Sequence, residues 1–545
     1  MITWVKLFFA SKIGEILMLK QRLNKSIIKW VGMILYILLI IQLCGCMEMD
    51  SDKANHLLQA EDILAGNFFL SNWILTGVTF FTTDLIYYEI GELFRGITPD
   101  AVAMAGGLML GSVFIISYFA CMIGQKELKL RKLCFALLMA IPCYNYILHF
   151  RVHTGAAFLS LSAFILIHYI FSKSSNQEEI KKIWFAALFF CCIFGTIGDL
   201  LFIIECIIPI LIICVLKVLG TNDSKEKKIM YTTMVILFLA VTGAFLWDKI
   251  FFSIGNADKN SYIGGSLFSN PQEWGNKTLS FWQGVIFLSM GDFWQGGISD
   301  VWNYIRGINA IVIAVACYMI LKNIYRLVKS TNNKGAKIDI ISGLLSCSVC
   351  MLFLVYLLTD MSQLRYTTMV PIACGIIFIR NIEFALNVKN KKIACGIVVL
   401  MSFLSLVGKI KEISIYSKQI PNTDEYVLIN FLREQNLESG YAAFFDASKL
   451  TVLSGNSVKV RHIIYNDSGM DIYKWFAKKE WYWEESRFVI VDDSRFSAVK
   501  ENEIFGITED NVRAAFGEPN ERYEVSKYIV LVYDKDLSFQ LLSNS

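Results

Sequence analysis

The stretch IKWVGMILYILLIIQLCGCMEMDSDKANHLLQAEDILAGN, residues 28–67, decides the fold. Its first part, 28–46, is an almost unbroken apolar run flanked by Lys25 and Lys29. A helix of that length crosses the hydrocarbon core of a bilayer. The chain then turns acidic at Glu48, Asp50 and Asp52. Beyond them Leu57, Leu58, Ile63 and Leu64 lie on one helical stripe, closed by Gly66-Asn67. A membrane span thus runs directly into an acidic, amphipathic loop helix.

Outward from this unit the pattern repeats. Apolar blocks of spanning length follow at about 101–123, 133–149, 154–171, 183–197, 200–219, 229–252, 306–327, 338–358, 367–386 and 393–408. With 55% hydrophobic and only 18% charged residues, the chain lacks the charge to cover a soluble surface. Its mean hydropathy is +0.50. The sequence Leu43-Cys44-Gly45-Cys46 resembles a lipoprotein cleavage box. The ten spans that follow favour an uncleaved first span.

Lysines and arginines gather in every second loop. Examples are Lys126, Lys129, Arg131 and Lys132; Lys225, Lys227 and Lys228; and Lys389, Lys391 and Lys392. By the positive-inside rule the N-terminus is cytoplasmic and, after about eleven spans, the C-terminal part lies outside. Two outer loops are long, about 47–100 and 253–305. Both carry aromatic runs suited to helices lying in the lipid interface: Trp73, Phe80, Phe81, Tyr87 and Tyr88 in one, Phe281, Trp282, Phe287, Phe293 and Trp294 in the other. The second also holds Gly264-Gly265.

From residue 409 to 545 the composition becomes ordinary, mildly acidic and long enough to bury its own core. This argues against nucleic acid as a partner. All 14 cysteines lie between Cys44 and Cys395, so disulfides do not hold this outer domain. It reads as an α/β unit. Thr423 caps a helix to about Asn436, and a second short helix follows Thr508. Strands fall at Tyr441–Ala447, Phe488–Val491 and Tyr528–Tyr533. Trp475, Trp481, Tyr482 and Trp483 read as packing, and Asp492-Asp493 as a turn.

The expected architecture is an α-helical polytopic membrane bundle, residues 1–408, with interfacial outer-loop helices and a C-terminal extracytoplasmic α/β domain, residues 409–545. Chemistry concentrates on its outer face. Asp50 and Asp52 sit at the mouth of the first span, where partial desolvation raises carboxylate basicity and suits a general base. Arg365, in the Arg365-Tyr366 pair ahead of Pro371, can hold a lipid phosphate by two parallel hydrogen bonds. Arg151 and His153 share a short loop on the same side. Asp199 marks an outer hairpin, and Glu205, inside a span, must face protein or a cavity.

The residues Ser51-Asp52, Ala60, Asp62-Ile63-Leu64, Gly66-Asn67, Trp73, Thr83-Asp84 and Tyr88 resemble the first outer loop of bacterial GT-C type membrane glycosyltransferases. These are distantly related to the dolichyl-phosphate-mannose mannosyltransferases and the aminoarabinose transferases. Arg365-Tyr366 with Pro371, and Gly440-Tyr441, Asp446-Ala447, Leu450-Thr451 and Ser454-Gly455 in the tail, extend the resemblance over nearly the whole chain. It implies transfer of a sugar from a polyprenyl-phosphate donor to an envelope glycan, lipid or protein at the outer face of the plasma membrane. It implies Asp52 as the base, Asp84 as a second acid, and Arg365 on the donor phosphate with Arg151 or His153 nearby. Where those families often have an Asp-Glu pair, this chain has Asp52-Lys53, which keeps Asp50 open as the base. No cofactor is expected, and a divalent metal is not required for a lipid monophosphate leaving group. The competing class is a transporter, a flippase or an envelope scaffold displaying the outer domain.

Overall fold

The computed structural model describes residues 25–126, 128–149, 152–175, 178–260, 268–332, 339–383, 388–466, 469–492 and 506–544. Arg151, Gly264, Gly265, Asp493 and the basic N-terminal segment up to residue 24 lie outside them. Seven helices are long and apolar enough to cross a membrane: Pro99–Met122, Thr154–Ser175, Ile203–Gly220, Ser224–Gly255, Val301–Ser330, Ile340–Leu358 and Lys391–Tyr416. Trp30–Cys44 and Lys182–Gly198 are shorter apolar helices. The chain is an integral membrane protein.

Two expected spans take other forms. The block at 133–149 is broken into Lys129–Leu138 and Tyr144–His149. Pro142 has no N–H to give the carbonyl of Leu138 four residues back. That carbonyl instead accepts from the buried Lys409 Nζ at 2.5 Å. The block at 367–386 is a 3-10 turn, Leu364–Thr367, leading into a twelve-residue helix, Met369–Arg380.

At the end of the bundle bearing the basic loops, charge is neutralised inside. Arg380 pairs with Asp339, donating from Nε to Oδ2 at 2.8 Å, and Gln125 reaches the same carboxylate. Arg131, only 1% exposed, donates to the carbonyl of Lys126 at 2.6 Å. Glu205, as expected, faces protein and accepts from Ser160 Oγ at 2.8 Å. Such groups are tolerated at membrane depth only with partners of this kind.

The loop helices divide the expected roles. Leu85–Arg95 exposes Ile86, Ile90, Leu93 and Phe94, one amphipathic stripe. Ser51–Leu64, expected as an amphipathic loop helix, is buried, with Ala54, Leu57 and Ala60 fully enclosed. The outer domain covers it. The helix Phe444–Leu453 packs across it, and Ser448 Oγ donates to Asn55 Oδ1 at 2.8 Å.

The outer domain holds a six-stranded mixed sheet. Its strands are β3 (Ser439–Ala443), β4 (Lys459–Asn466), β5 (Gly469–Ile472), β7 (Phe488–Asp492), β8 (Glu521–Val525) and β9 (Tyr528–Val532), in the order β5-β4-β3-β7-β9-β8. β3 runs parallel to β4 and β7; the outer pairings are antiparallel. A second sheet ties the domain to both long loops. β1 (Trp73–Leu75) pairs through Ile74 with Asp258 of β2 (Asp258–Lys259) and with Ala477 of β6 (Ala477–Lys478). Trp481 packs edge-on against Trp73 at 4.9 Å, and Lys478 binds Asp62 at 2.9 Å.

Local corrections follow from these contacts. Thr423 does not cap its helix: its Oγ1 donates to the carbonyl of Ile420. Asn422, at the cap position with φ +57°, accepts from Met49 N instead. The strand from Tyr441 stops at Ala443, because the chain turns there into the helix that covers the first loop.

The orientation inferred from charge predicts that Gln435, exposed in the outer domain, faces outside. Gln435→Cys should react with a membrane-impermeant thiol reagent in intact cells, above the wild-type background. Labelling that requires lysis reverses the orientation.

Candidate functional site

The site begins at the N-terminus of the Ser51–Leu64 helix. Asp50 is its cap: one carboxylate oxygen accepts from Lys53 N at 3.0 Å, and the other lies 3.0 Å from Lys53 Nζ. Asp52 occupies the first helical turn. Across from it the 3-10 turn Leu364–Thr367 presents Arg365, whose Nη1 lies 3.6 Å from Asp52 Oδ2. The two side chains are 25% and 12% exposed, in that order. The base candidate and the phosphate-binding candidate, 313 positions apart, thus form an ion pair with some access to solvent.

From Arg365 the contacts continue inward. Its guanidinium lies 5.4 Å from the ring centre of Tyr366, and Tyr366 lies 5.1 Å from His153. His153 has φ +70°, and its Nδ1 lies 2.6 Å from Asp199 Oδ2. Asp84 anchors this turn, accepting from His153 N at 3.2 Å and from Gly155 N at 2.8 Å. Residue 155 must be glycine, since a Cβ there would lie 2.3 Å from the carbonyl oxygen of Thr83. Asp84 is fully buried. Burial, helped by the neighbouring Asp199, pushes its pKa up to about 6 against the pull of the two N–H donors and His153. Its carboxylate faces backbone, not the Asp52–Arg365 pair. Arg151 lies outside the described residues.

Three members of this network had no assigned role in the sequence reading: Asp199, Tyr366 and His56. His56 Nδ1 lies 2.6 Å from the carbonyl oxygen of Asp52. The signal was there, since His56 follows Asp52 by one helical turn.

A cavity of about 180 Å³ opens beside the capped end of the helix, lined by Glu48, Lys53, Tyr88, Asp100, Asn422 and Tyr426 among others. A second, of about 70 Å³, lies between membrane helices around Tyr146, Pro371 and Lys409. Neither is lined by Asp52 or Arg365. The Asp52–Arg365 pair therefore lies outside both cavities, next to Lys53, which lines the larger one. Among the described residues, no group of three His, Cys, Asp or Glu side chains is placed to hold a metal ion.

No family model matches the chain, and no curated protein matches it in sequence. Among solved structures it is similar to the crystal structure of ArnT from Cupriavidus metallidurans in the apo state. The TM-score is 0.53 at 9% identity, over 96% of this chain and 99% of that one. The likeness runs end to end, membrane helices and outer domain together, and establishes a GT-C-like fold.

Asp84→Ala would orphan two buried N–H groups, each at a cost of about 1–3 kcal/mol. A clearly lower melting temperature is expected, against little change for Asp52→Ala. The raised pKa means that the fold favours the neutral acid. That contribution is complete below the unfolded value near 3.8 and is lost as pH rises through about 6. The melting difference between wild type and Asp84→Ala should be widest near pH 4 and narrow above pH 6.5.

Proposed function

We propose that this protein transfers a sugar from a polyprenyl-phosphate donor to an acceptor hydroxyl at the outer face of a bacterial plasma membrane, the acceptor being an envelope glycan, lipid or protein. The observation that carries this reading is the Asp52–Arg365 ion pair. It joins a carboxylate on the first outer loop to a cation at the outer end of a membrane helix. The fold likeness to ArnT, an aminoarabinose transferase, supports the same reading.

In the resting protein Arg365 and Asp52 neutralise each other. A donor phosphate offers the guanidinium a bidentate partner of higher charge. Arg365 then turns to the phosphate and Asp52 is freed. The acceptor O–H attacks the anomeric carbon, its proton passes to Asp52, and the bond from that carbon to the phosphate oxygen breaks. Polyprenyl phosphate leaves with its charge held by Arg365. A single displacement of this kind inverts the anomeric centre. Asp50 stays with the helix cap and Lys53. Asp84 and Asp199 fix His153 beside Tyr366, close to the phosphate position, and Arg151, two residues earlier in the sequence, is the other candidate for the donor phosphate. A lipid monophosphate leaving group calls for less neutralisation than a diphosphate, so a divalent metal is possible here but not expected to be required.

Asp52→Asn keeps size and hydrogen bonding but cannot take the proton. Transfer should fall by roughly two to four orders of magnitude. Binding of undecaprenyl phosphate to the protein in nanodiscs should survive. Arg365→Ala should weaken that binding as well as the rate. Wild-type transfer by Asp52→Asn removes the assigned base. A wild-type protein that binds no undecaprenyl phosphate removes the glycosyltransferase reading, and a transporter or scaffold takes its place.

A further inference from the structure

Beyond Asp52, the Ser51–Leu64 helix carries Asn55, His56 and Gln59, and none of the three is exposed at all. A helix face closed by another domain is ordinarily apolar, because a buried polar group without a partner is costly. Here the partners are incomplete. Asn55 uses its Oδ1 with Ser448, but its Nδ2 has no hydrogen-bond partner among the described residues. Neither atom of the Gln59 amide has one, and neither has His56 Nε2.

The His56 tautomer is fixed by geometry. Its Nδ1 faces the Asp52 carbonyl oxygen, which can only accept, so Nδ1 carries the hydrogen and Nε2 presents a bare lone pair. Burial holds the ring neutral, with its pKa lowered to about 4. Rings surround it: Tyr88 stacked at 5.3 Å, the edge of Phe80 at 5.1 Å and Phe476 at 5.3 Å.

We propose that this side of the helix is the acceptor subsite and takes a neutral, hydroxyl-rich group, a sugar or a polyol head group; the proposal rests on the glycosyl-transfer reading above. The unmet atoms are a mixture, donors at Asn55 and Gln59 and acceptors at Gln59 and His56. Hydroxyls donate and accept and can meet both kinds. A phosphate only accepts, and would leave Gln59 Oε1 and His56 Nε2 unmet. The surrounding rings suit the C–H faces of a sugar. Positions 52, 56 and 59 share one helix face. Asp52 and Gln59 are separated by about 10 Å along the axis, the span of one or two sugar rings. An acceptor lying along this face reaches Asp52 with one hydroxyl.

The cover belongs to the outer domain: the helix Phe444–Leu453 and Phe476. It is held by apolar packing, Leu57 and Ala60 sharing one cluster with Phe444, Ala447 and Phe476, and by polar links from Ser51 Oγ to the Phe444 carbonyl at 2.6 Å, Ser448 to Asn55 and Lys478 to Asp62. The outer domain lifts to admit the acceptor and closes over it.

The test uses full-length protein in nanodiscs and a labelled undecaprenyl-phosphate sugar. The acceptor probe is the glycolipid and glycan fraction extracted from the cell envelope, titrated in. Gln59→Met replaces unmet polar atoms by apolar ones of similar size and should not melt below wild type; His56→Phe also gives up the Nδ1 contact to the Asp52 carbonyl and should melt only slightly lower. Each should raise the half-saturating amount of acceptor fraction by roughly five- to tenfold, the worth of one hydrogen bond. Half-saturation by donor and the rate at saturation should stay near wild type. Variants that saturate at the wild-type amount overturn the proposal, because the polar atoms then hold water alone. Variants that melt well below wild type overturn it too, because the role is then structural. A wild type that transfers no label fails the glycosyl-transfer reading itself and takes this proposal with it.

Discussion

The helix Ser51–Leu64 is covered on two sides, by the loop helix Leu85–Arg95 and by the C-terminal domain, and it is polar on a side where such a helix would ordinarily be dry. Much of the outer face is arranged around that contact. The cap at Asp50 sets where the helix starts, and so points Asp52 at Arg365. Asn422 gives up a cap of its own helix to hold Met49 just ahead of it. Asp62, near its end, receives Lys478 and the indole N–H of Trp73 at 2.8 Å. The first loop is thus a layer between two domains rather than a surface feature.

The membrane part obeys a stricter rule, since a backbone group in hydrocarbon has no water to fall back on. Pro142 breaks a helix, and the carbonyl it leaves behind is answered by Lys409 from another helix. Arg380 and Asp339 answer each other at the opposite end, with the carbonyl of Ile123 taking a further donor from Arg380 at 3.0 Å. Lys409, Arg380 and Asp339 thus each carry a specific partner inside the bundle. The Asp52–Arg365 pair differs by keeping partial exposure. A half-solvated ion pair contributes little net stability, which suits two groups that must exchange partners when a phosphate arrives.

The sheet β2-β1-β6 is small, but it links three segments far apart in the chain. Through it the C-terminal domain is tied to both long loops, one carrying Asp52 and the other holding β2; its strands are only two or three residues long.

Hydropathy alone determined that this chain lives in a membrane, and composition alone marked a distinct C-terminal part, because apolar length and charge density are properties of local sequence; the last membrane helix nevertheless runs on to Tyr416, past the expected boundary at 408. Local chemistry also marked Asp50, Asp52 and Arg365 as candidates and placed a short helix after Thr508, where the structure has Glu509–Phe516. It could not reveal that Asp52 and Arg365 touch, that Asp84 turns its carboxylate onto the backbone at His153 and Gly155, or that the first-loop helix is buried. Nor could it find β4, β6 or the helix Phe444–Leu453. The physical reason is the same in each case. Those features are fixed by partners hundreds of residues away: Arg365 for Asp52, Trp73–Leu75 for β6, and the Ser51–Leu64 helix for the segment that covers it. Only the tertiary structure supplies such partners.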